Sequence, residues 1–240
     1  MKFSMILSNN NRSKAYLQNL IKHNLLPEAV IYLDKLGYKL AEQTENDSNL
    51  YSKTEQTLLK TCPVSGLSFD EKESIISTLE KYEIDYKHIE SLDPNEDKVV
   101  SAVGKLATKN CIYSGPGGII LRSGLFETGK KFLHAHPGNL PMHKGSTTIY
   151  YSLLIDKTIS VSVIELNENL DEGDILLIEK FKFKSGESLD YVIDPCVRAR
   201  SLINYLKDPS NKEKQHNSGN TFYIIHPVLK HLSIIKNEAY

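Results

Sequence analysis

An apolar run at Phe3 to Leu7 stops at the polar stretch Ser8 to Asn11, after which apolar residues recur at Tyr16, Leu17, Leu20, Ile21 and Leu25. The run reads as a short buried strand and the recurrence as an amphipathic helix. A second apolar run at Ala29 to Leu33 completes a β-α-β opening. The alternation continues with a helix over Glu71 to Tyr82, extended chain at Tyr86 to Ile89, a helix over Val99 to Ala107 and extended chain at Cys111 to Tyr113. A strand ending near Phe132 follows, with the chain still extended beyond it. Later come a helix over Thr147 to Ile155, strands at Ile159 to Leu166 and Ile175 to Phe183, and a helix over Leu189 to Leu206 that Pro195 should kink or break. Strands alternating with helices predict an α/β fold with a doubly wound, mostly parallel sheet.

Two stretches interrupt the pattern. Leu36 to Leu67 is polar and weakly periodic and reads as a surface excursion. Lys207 to Asn220 reads as a loop, before Thr221 to Ile235 returns to apolar character as a closing strand or helix. The expected division is a domain over residues 1–206 and a short C-terminal extension over 207–240. Internal repeats and low-complexity runs are not seen.

Composition narrows the class. With 29 Lys plus Arg against 30 Asp plus Glu, the formal charge is -1, and no dense basic stripe marks the chain for nucleic acid. The opening apolar run is too short for a signal segment, and no stretch of about 18 apolar residues predicts a membrane span. A soluble cytoplasmic protein handling small molecules, with no nucleic-acid or membrane partner, is the plain expectation. Cys62, Cys111 and Cys196 are too widely spaced for a disulfide framework or a CxxC metal site and are expected to be reduced, partly buried thiols.

The chemistry concentrates in KFLHAHPGNLPMHKG, Lys131 to Gly145, and LDEGDIL, Leu170 to Leu176. On extended chain His134 and His136 project to one side, so two imidazoles can line one cleft. Pro137 and Pro141 stiffen the loop that follows, while Gly138 and Gly145 permit tight turns or close backbone approach. A rigid loop at the carboxyl end of a parallel strand is where open α/β sheets hold ligands. Asp171, in a turn between two expected strands, can orient an imidazole and stabilise its protonated form. Taken singly, a His pair before a proline is as often a structural element or a metal site, and Asp-x-Gly is common in ordinary turns.

Together these residues resemble the folate-dependent formyltransferases, whose core pattern is Asn-x-His-Pro-Ser-Leu-Leu-Pro, a later Gly and then Asp-x-Gly. His136, Pro137, Pro141 and Gly145 match the first part, and Asp171 and Gly173 the second. YSGPGGIILRSGLF resembles the family loop that holds the folate pterin by main-chain groups, which implies pterin contacts at Gly118, Ile119 and Ile120. The likeness runs from about Ile112 to Ile178. It implies a Rossmann-like formyltransferase fold, N10-formyltetrahydrofolate as formyl donor, and a catalytic set of His134, His136 and Asp171 that requires no metal. His134 stands where the family has Asn, and Gly138 where it has Ser. The resemblance gives the Asn an oxyanion hydrogen bond, which a neutral imidazole can still donate from its one N–H.

For the acceptor amine, the Asn-rich turn SNNNRSK replaces the Gly-rich phosphate turn of the purine-pathway enzymes. Asn9 and Arg12 are the expected substrate contacts, although an Asn-rich helix cap explains the turn equally well. A methionyl-tRNA enzyme would carry a sizeable further C-terminal domain, whereas the segment after Ser185 is short and not especially basic. By elimination the resemblance favours a nucleotide-linked amino sugar, with Tyr82, Tyr86, Tyr113, Tyr150 and Tyr151 available to stack on a base. The segment Gly219 to Ile234, with His226 as a core or capping histidine, can cover the site or support a homodimer. Because His134 departs from the pattern, a non-catalytic folate- or partner-binding homologue and a formyl-folate hydrolase stand as alternatives.

Overall fold

The computed structural model describes residues 1–35, 59–209 and 221–238. Residues 36–58 of the expected excursion and most of the expected loop at 207–220 therefore lie outside the described residues. Eleven strands are described: β1 (Phe3–Ser8), β2 (Val30–Asp34), β3 (Leu59–Thr61), β4 (Ser68–Asp70), β5 (Tyr86–Glu90), β6 (Asn110–Ser114), β7 (Lys131–His136), β8 (Lys144–Ser146), β9 (Thr158–Glu165), β10 (Asp174–Lys182) and β11 (Phe222–Ile224). The helices are α1 (Asn11–Lys22), α2 (Ile75–Lys81), α3 (Asp97–Gly104), α4 (Ser123–Phe126), α5 (Ile149–Asp156), α6 (Asp194–Lys207) and α7 (Pro227–Glu238).

Seven strands form the central sheet in the order β10-β9-β7-β6-β1-β2-β5. From β5 to β7 all neighbours are parallel, while β9 runs antiparallel to both β7 and β10. From β2 to β7 both faces of the parallel part are buried, and the period of two divides the side chains between two cores. Phe3, Met5 and Leu7 of β1 join a core with residues of α1, α5 and α6, whereas Ile6 points to the other face with Val99 and Val103 of α3. Val30 and Tyr32 against Ile31 and Leu33 of β2, and Ile112 against Cys111 and Tyr113 of β6, repeat the division. The result is the doubly wound, mostly parallel α/β sheet that the alternation implied.

The differences from expectation are local. The strand expected to end near Phe132 begins at Lys131 and runs to His136, because its register against β9 pairs His134 with Ile164 and His136 with Ser162. The helix expected from Glu71 starts at Ile75, where the Ser74 hydroxyl accepts the Ser77 N–H and caps it. Leu59 to Leu67 is structured rather than irregular: it enters the β3–β4 hairpin, with Cys62 and Leu67 in the core and the other residues partly or fully exposed. The segment expected as a helix over Leu189 to Leu206 does break beside Pro195: a π-helical turn over Leu189–Ile193 gives way to α6, whose first turn holds Pro195, where its missing N–H costs nothing. The closing segment contains both a strand and a helix: β11 pairs in parallel with β8, and α7 packs on α5. All three cysteines are free and fully buried rather than partly so. Among the described residues no helix is long and apolar enough to cross a membrane.

Candidate active site

The strand order reverses direction between β1 and β6, which places the carboxyl ends of β1, β6 and β7 around one crevice. A cavity of about 410 Å³ lies there, lined among others by Arg12, Gly118, Ile119, Ile120, His134, His136, Asp171 and Arg198. Of the residues singled out from the sequence, the structure brings Arg12, the two histidines, Asp171 and the Gly118 to Ile120 loop to this one space. Asn9 is exposed and does not line it. The Asn-rich turn is largely structural: Asn10 caps α1 by accepting the Ser13 N–H, and Asn11 donates to the Tyr191 carbonyl. Of the five tyrosines, only Tyr113 lines the cavity; Tyr150 donates to Asp190 at 2.6 Å, and Tyr151 packs on Tyr223.

One end of the cavity is built around a carboxylate. His136 Nδ1 lies 3.3 Å from Asp171 Oδ1, and its Nε2 faces the His143 carbonyl at 2.7 Å and the Thr148 hydroxyl at 3.1 Å. Since the Thr148 hydroxyl donates to the Pro137 carbonyl at 2.9 Å, it offers the ring a lone pair. Both nitrogens of His136 thus face acceptors, which fixes the orientation of the ring and aims it at Asp171. Burial would raise the Asp171 pKa, but the hydrogen bond and charge of His136 and the Gly145 N–H at 2.8 Å outweigh it and hold the carboxyl below its ordinary value. Asp171 adopts a left-handed φ of 54°, tolerated best by Gly, Asn and Asp, and this turns its side chain back toward β8.

The loop between His136 and α5 explains two sequence features. A Cβ at Gly138 would sit 2.7 Å from the Thr148 hydroxyl and 2.9 Å from His136 Nε2, so no side chain fits there. The glycine in place of Ser is therefore the counterpart of the tight His136 contacts. At Gly173 a Cβ would fall 2.0 Å from the Glu165 carbonyl oxygen, so the glycine of Asp-x-Gly lets the turn pass over the end of β9. Ser162 holds the loop from below, donating to the Gly138 carbonyl at 2.7 Å and accepting the Leu140 N–H at 3.0 Å.

The other end is built around guanidinium groups. Arg198, on α6, donates from Nε to the Ala135 carbonyl at 2.7 Å, from Nη1 to Asp194 at 3.1 Å, and reaches His134 Nε2 from Nη2 at 3.4 Å. His134 Nδ1 meets the Tyr113 carbonyl at 3.2 Å. A carbonyl only accepts, so Nδ1 carries the hydrogen and Nε2 presents its lone pair to Arg198. Burial, reinforced by Arg198 and Arg12, holds the His134 pKa well below the ordinary imidazole value. In this tautomer the single N–H of His134 points to Tyr113, and its second nitrogen faces Arg198. Burial works against the charge of Arg198, but Asp194 and Tyr16 together outweigh it and the net shift is upward. Arg12 donates to the Ser114 hydroxyl at 3.1 Å and to the Gly115 carbonyl.

The third wall is the Gly118 to Ile120 loop. Gly117 and Gly118 leave exposed main chain beside the half-buried Ile119, and Leu121 and Leu166 add apolar surface. Asn95 ties the loop down, donating to the Ile120 carbonyl at 3.0 Å and accepting the Arg122 N–H at 2.8 Å. A flat apolar floor edged with main-chain groups suits a planar heterocycle. Opposite, β11 crosses β8 at Gly145, with the Tyr223 ring 6.3 Å edge-on from that of His143. His226 accepts the Val228 N–H and caps α7, while Lys230 reaches Asp190 at the cavity wall.

Sequence reasoning did not single out Arg198, Asp194, Thr148 or Asn95. The Asp194 and Arg198 spacing of four on a helix signals an ion pair. Only the packing of α6 on β7 shows that the pair faces the histidines.

A sequence profile described as formyl transferase matches residues 61–198. The methionyl-tRNA formyltransferase of Finegoldia magna is 29% identical over 140 residues, which cover 55% of this chain and 45% of that protein. That of Rickettsia canadensis is 29% identical over 131 residues, covering 52% and 43%. The chain thus spans about half the length of the curated relatives it matches. Among solved structures, a sugar N-formyltransferase from Shewanella sp. matches with a TM-score of 0.53 at 14% identity, over 99% of this chain and 88% of that one. A glycinamide ribonucleotide transformylase from Symbiobacterium toebii matches with a TM-score of 0.54 at 12% identity, over 85% and 84%. At these identities the likeness is one of fold.

Proposed function

The chain belongs to the formyl transferase family, and from that premise we propose that it transfers a formyl group from N10-formyltetrahydrofolate to the amine of a small acceptor. The observation that carries the reading is the convergence of the His136–Asp171 pair and the Gly118 to Ile120 loop on one cavity at the carboxyl ends of β1, β6 and β7. When bound, the folate carrier supplies an activated formyl carbon. The main chain of Gly118, Ile119 and Ile120 would hold its heterocycle, and the apolar floor would exclude water from one face. Asp171, kept ionised by His136, would collect the proton that the attacking amine gives up, directly or through water. The buried His143 and Thr148 contacts would keep the His136 ring in the orientation this needs.

Of the amines the family modifies, we favour an amino sugar linked to a nucleotide. A formal charge of -1 is a poor match to a tRNA acceptor, and the turn before α1 is not a glycine cradle for phosphate. The unpaired lone N–H of an active-site donor is missing at His134, which also favours a second reading: a homologue that binds folate without turning it over. Incubation with N10-formyltetrahydrofolate alone, then with a panel of UDP- and dTDP-linked amino sugars, separates the readings. Formamide product that depends on the amine is expected. Formate released without any amine would replace transfer by hydrolysis, and folate binding without either product would make the chain a binding protein.

A further inference from the structure

Arg198 is the buried charge that the reading above leaves without a task. Its guanidinium lines the cavity yet is only 5% exposed as a residue. Three of its groups are fixed at once, by Ala135 in the middle of the His134-Ala135-His136 segment, by Asp194 one turn earlier on α6, and by His134 itself. A lysine cannot make this pattern, because it lacks the planar fork that reaches a strand carbonyl and a ring nitrogen together. The contact with Ala135 fixes the backbone between the two histidines. The contact with His134 gives Nε2 a donor, and so supports the tautomer that the Tyr113 carbonyl sets at Nδ1.

Resting on the formyl-transfer reading, we infer that Arg198 is a positioning residue: it locks His134 as an uncharged acceptor and places the positive charge of that end of the cavity on its own guanidinium. In this arrangement an oxygen gaining negative charge opposite His136 would find its electrostatic partner in Arg198. No donated ring hydrogen of His134 takes part. His134 serves as the bracket that aims the guanidinium. The groups facing His134 are consistent with this role: Arg12 from α1, the Tyr113 carbonyl from β6, Arg198 from α6, His136 on its own strand, and Asp171 across the cavity. Two of them are permanent cations.

The test reads His134 directly, by long-range nitrogen–proton spectra of its ring between pH 5 and 8, in the unsubstituted protein and in Arg198→Met and Arg198→Lys. In the unsubstituted protein the ring stays neutral with hydrogen on Nδ1 across the range. In Arg198→Met the Nε2 resonance, released from its donor, shifts and the ring's titration moves upward, and in Arg198→Lys the Nε2 resonance shifts as well. A His134 spectrum that is unchanged in either folded variant overturns the inference. Should Arg198→Met fail to fold, Arg198→Lys alone decides it. A kinetic arm uses whichever amino sugar the protein formylates. Arg198→Met is expected to lower kcat by about 10²–10³, the usual cost of losing an oxyanion partner, with tetrahydrofolate affinity within about threefold. Adding His134→Asn, which brings an amide donor, should recover at least part of that loss; equal loss of kcat and of folate affinity, with no recovery, overturns it. If the spectra behave as expected but no amine is formylated, the pairing stands and the formyl-transfer reading falls.

Discussion

His134 and His136 sit two residues apart on the same strand, on the same side of the sheet, and line the same cavity, yet they face opposite partners. His136 meets a carboxylate on one nitrogen and a carbonyl on the other, so both of its nitrogens face acceptors. His134 meets a carbonyl on one nitrogen and a guanidinium on the other, so it faces one acceptor and one donor, and it is held neutral. The lesson is that the residue type did not set the role. The charge delivered by a distant element did: Asp171 from the turn between β9 and β10, and Arg198 from α6.

The largest effect should come from breaking the carboxylate end. Asp171→Asn keeps the left-handed backbone but removes the charge, and His136→Ala removes its partner. Each is expected to lower kcat for formyl transfer by about 10³ or more, as losing an activated acid–base group does, while tetrahydrofolate binding measured by calorimetry changes little. Near-normal turnover in either variant would show that the two ends do not differ in function. At the guanidinium end, Arg12→Ala should raise KM for the acceptor by about 10- to 100-fold, the range for one charged hydrogen bond. Asn9→Ala, outside the cavity, should leave the same constant within about twofold.

The smallest effect concerns stability. Because the folded pKa of His134 lies below its unfolded value, the unfolded chain binds a proton near pH 6 that the folded chain refuses. Stability should therefore fall as pH drops below about 6.5, by up to about 1.4 kcal/mol per pH unit. Asp171, whose folded pKa is depressed, adds stability above its unfolded value that is lost only at lower pH, below about 4. Urea midpoints between pH 7.5 and 5.5 measure the first contribution, and His134→Asn should flatten the slope in that window. An unchanged slope would show that folding does not keep His134 neutral.

Much of this was legible in the chain because it rests on local signals. Period-two apolar runs and helical spacing are set by neighbours in sequence, so the strands Phe3–Ser8, Val30–Asp34 and Asn110–Ser114 stand within a residue or so of where the pattern put them. The order of the motifs His136-Pro137, Gly145 and Asp171-x-Gly173 likewise carries chemistry that needs no coordinates to notice. Tertiary structure decided the rest. Whether Gly138 tolerates a side chain depends on Thr148 and His136 packing over it, and whether His134 donates or accepts depends on Arg198, 64 residues away. Hydrogen-bond direction and charge are properties of a pair, and the sequence by itself lists the members without saying which of them meet.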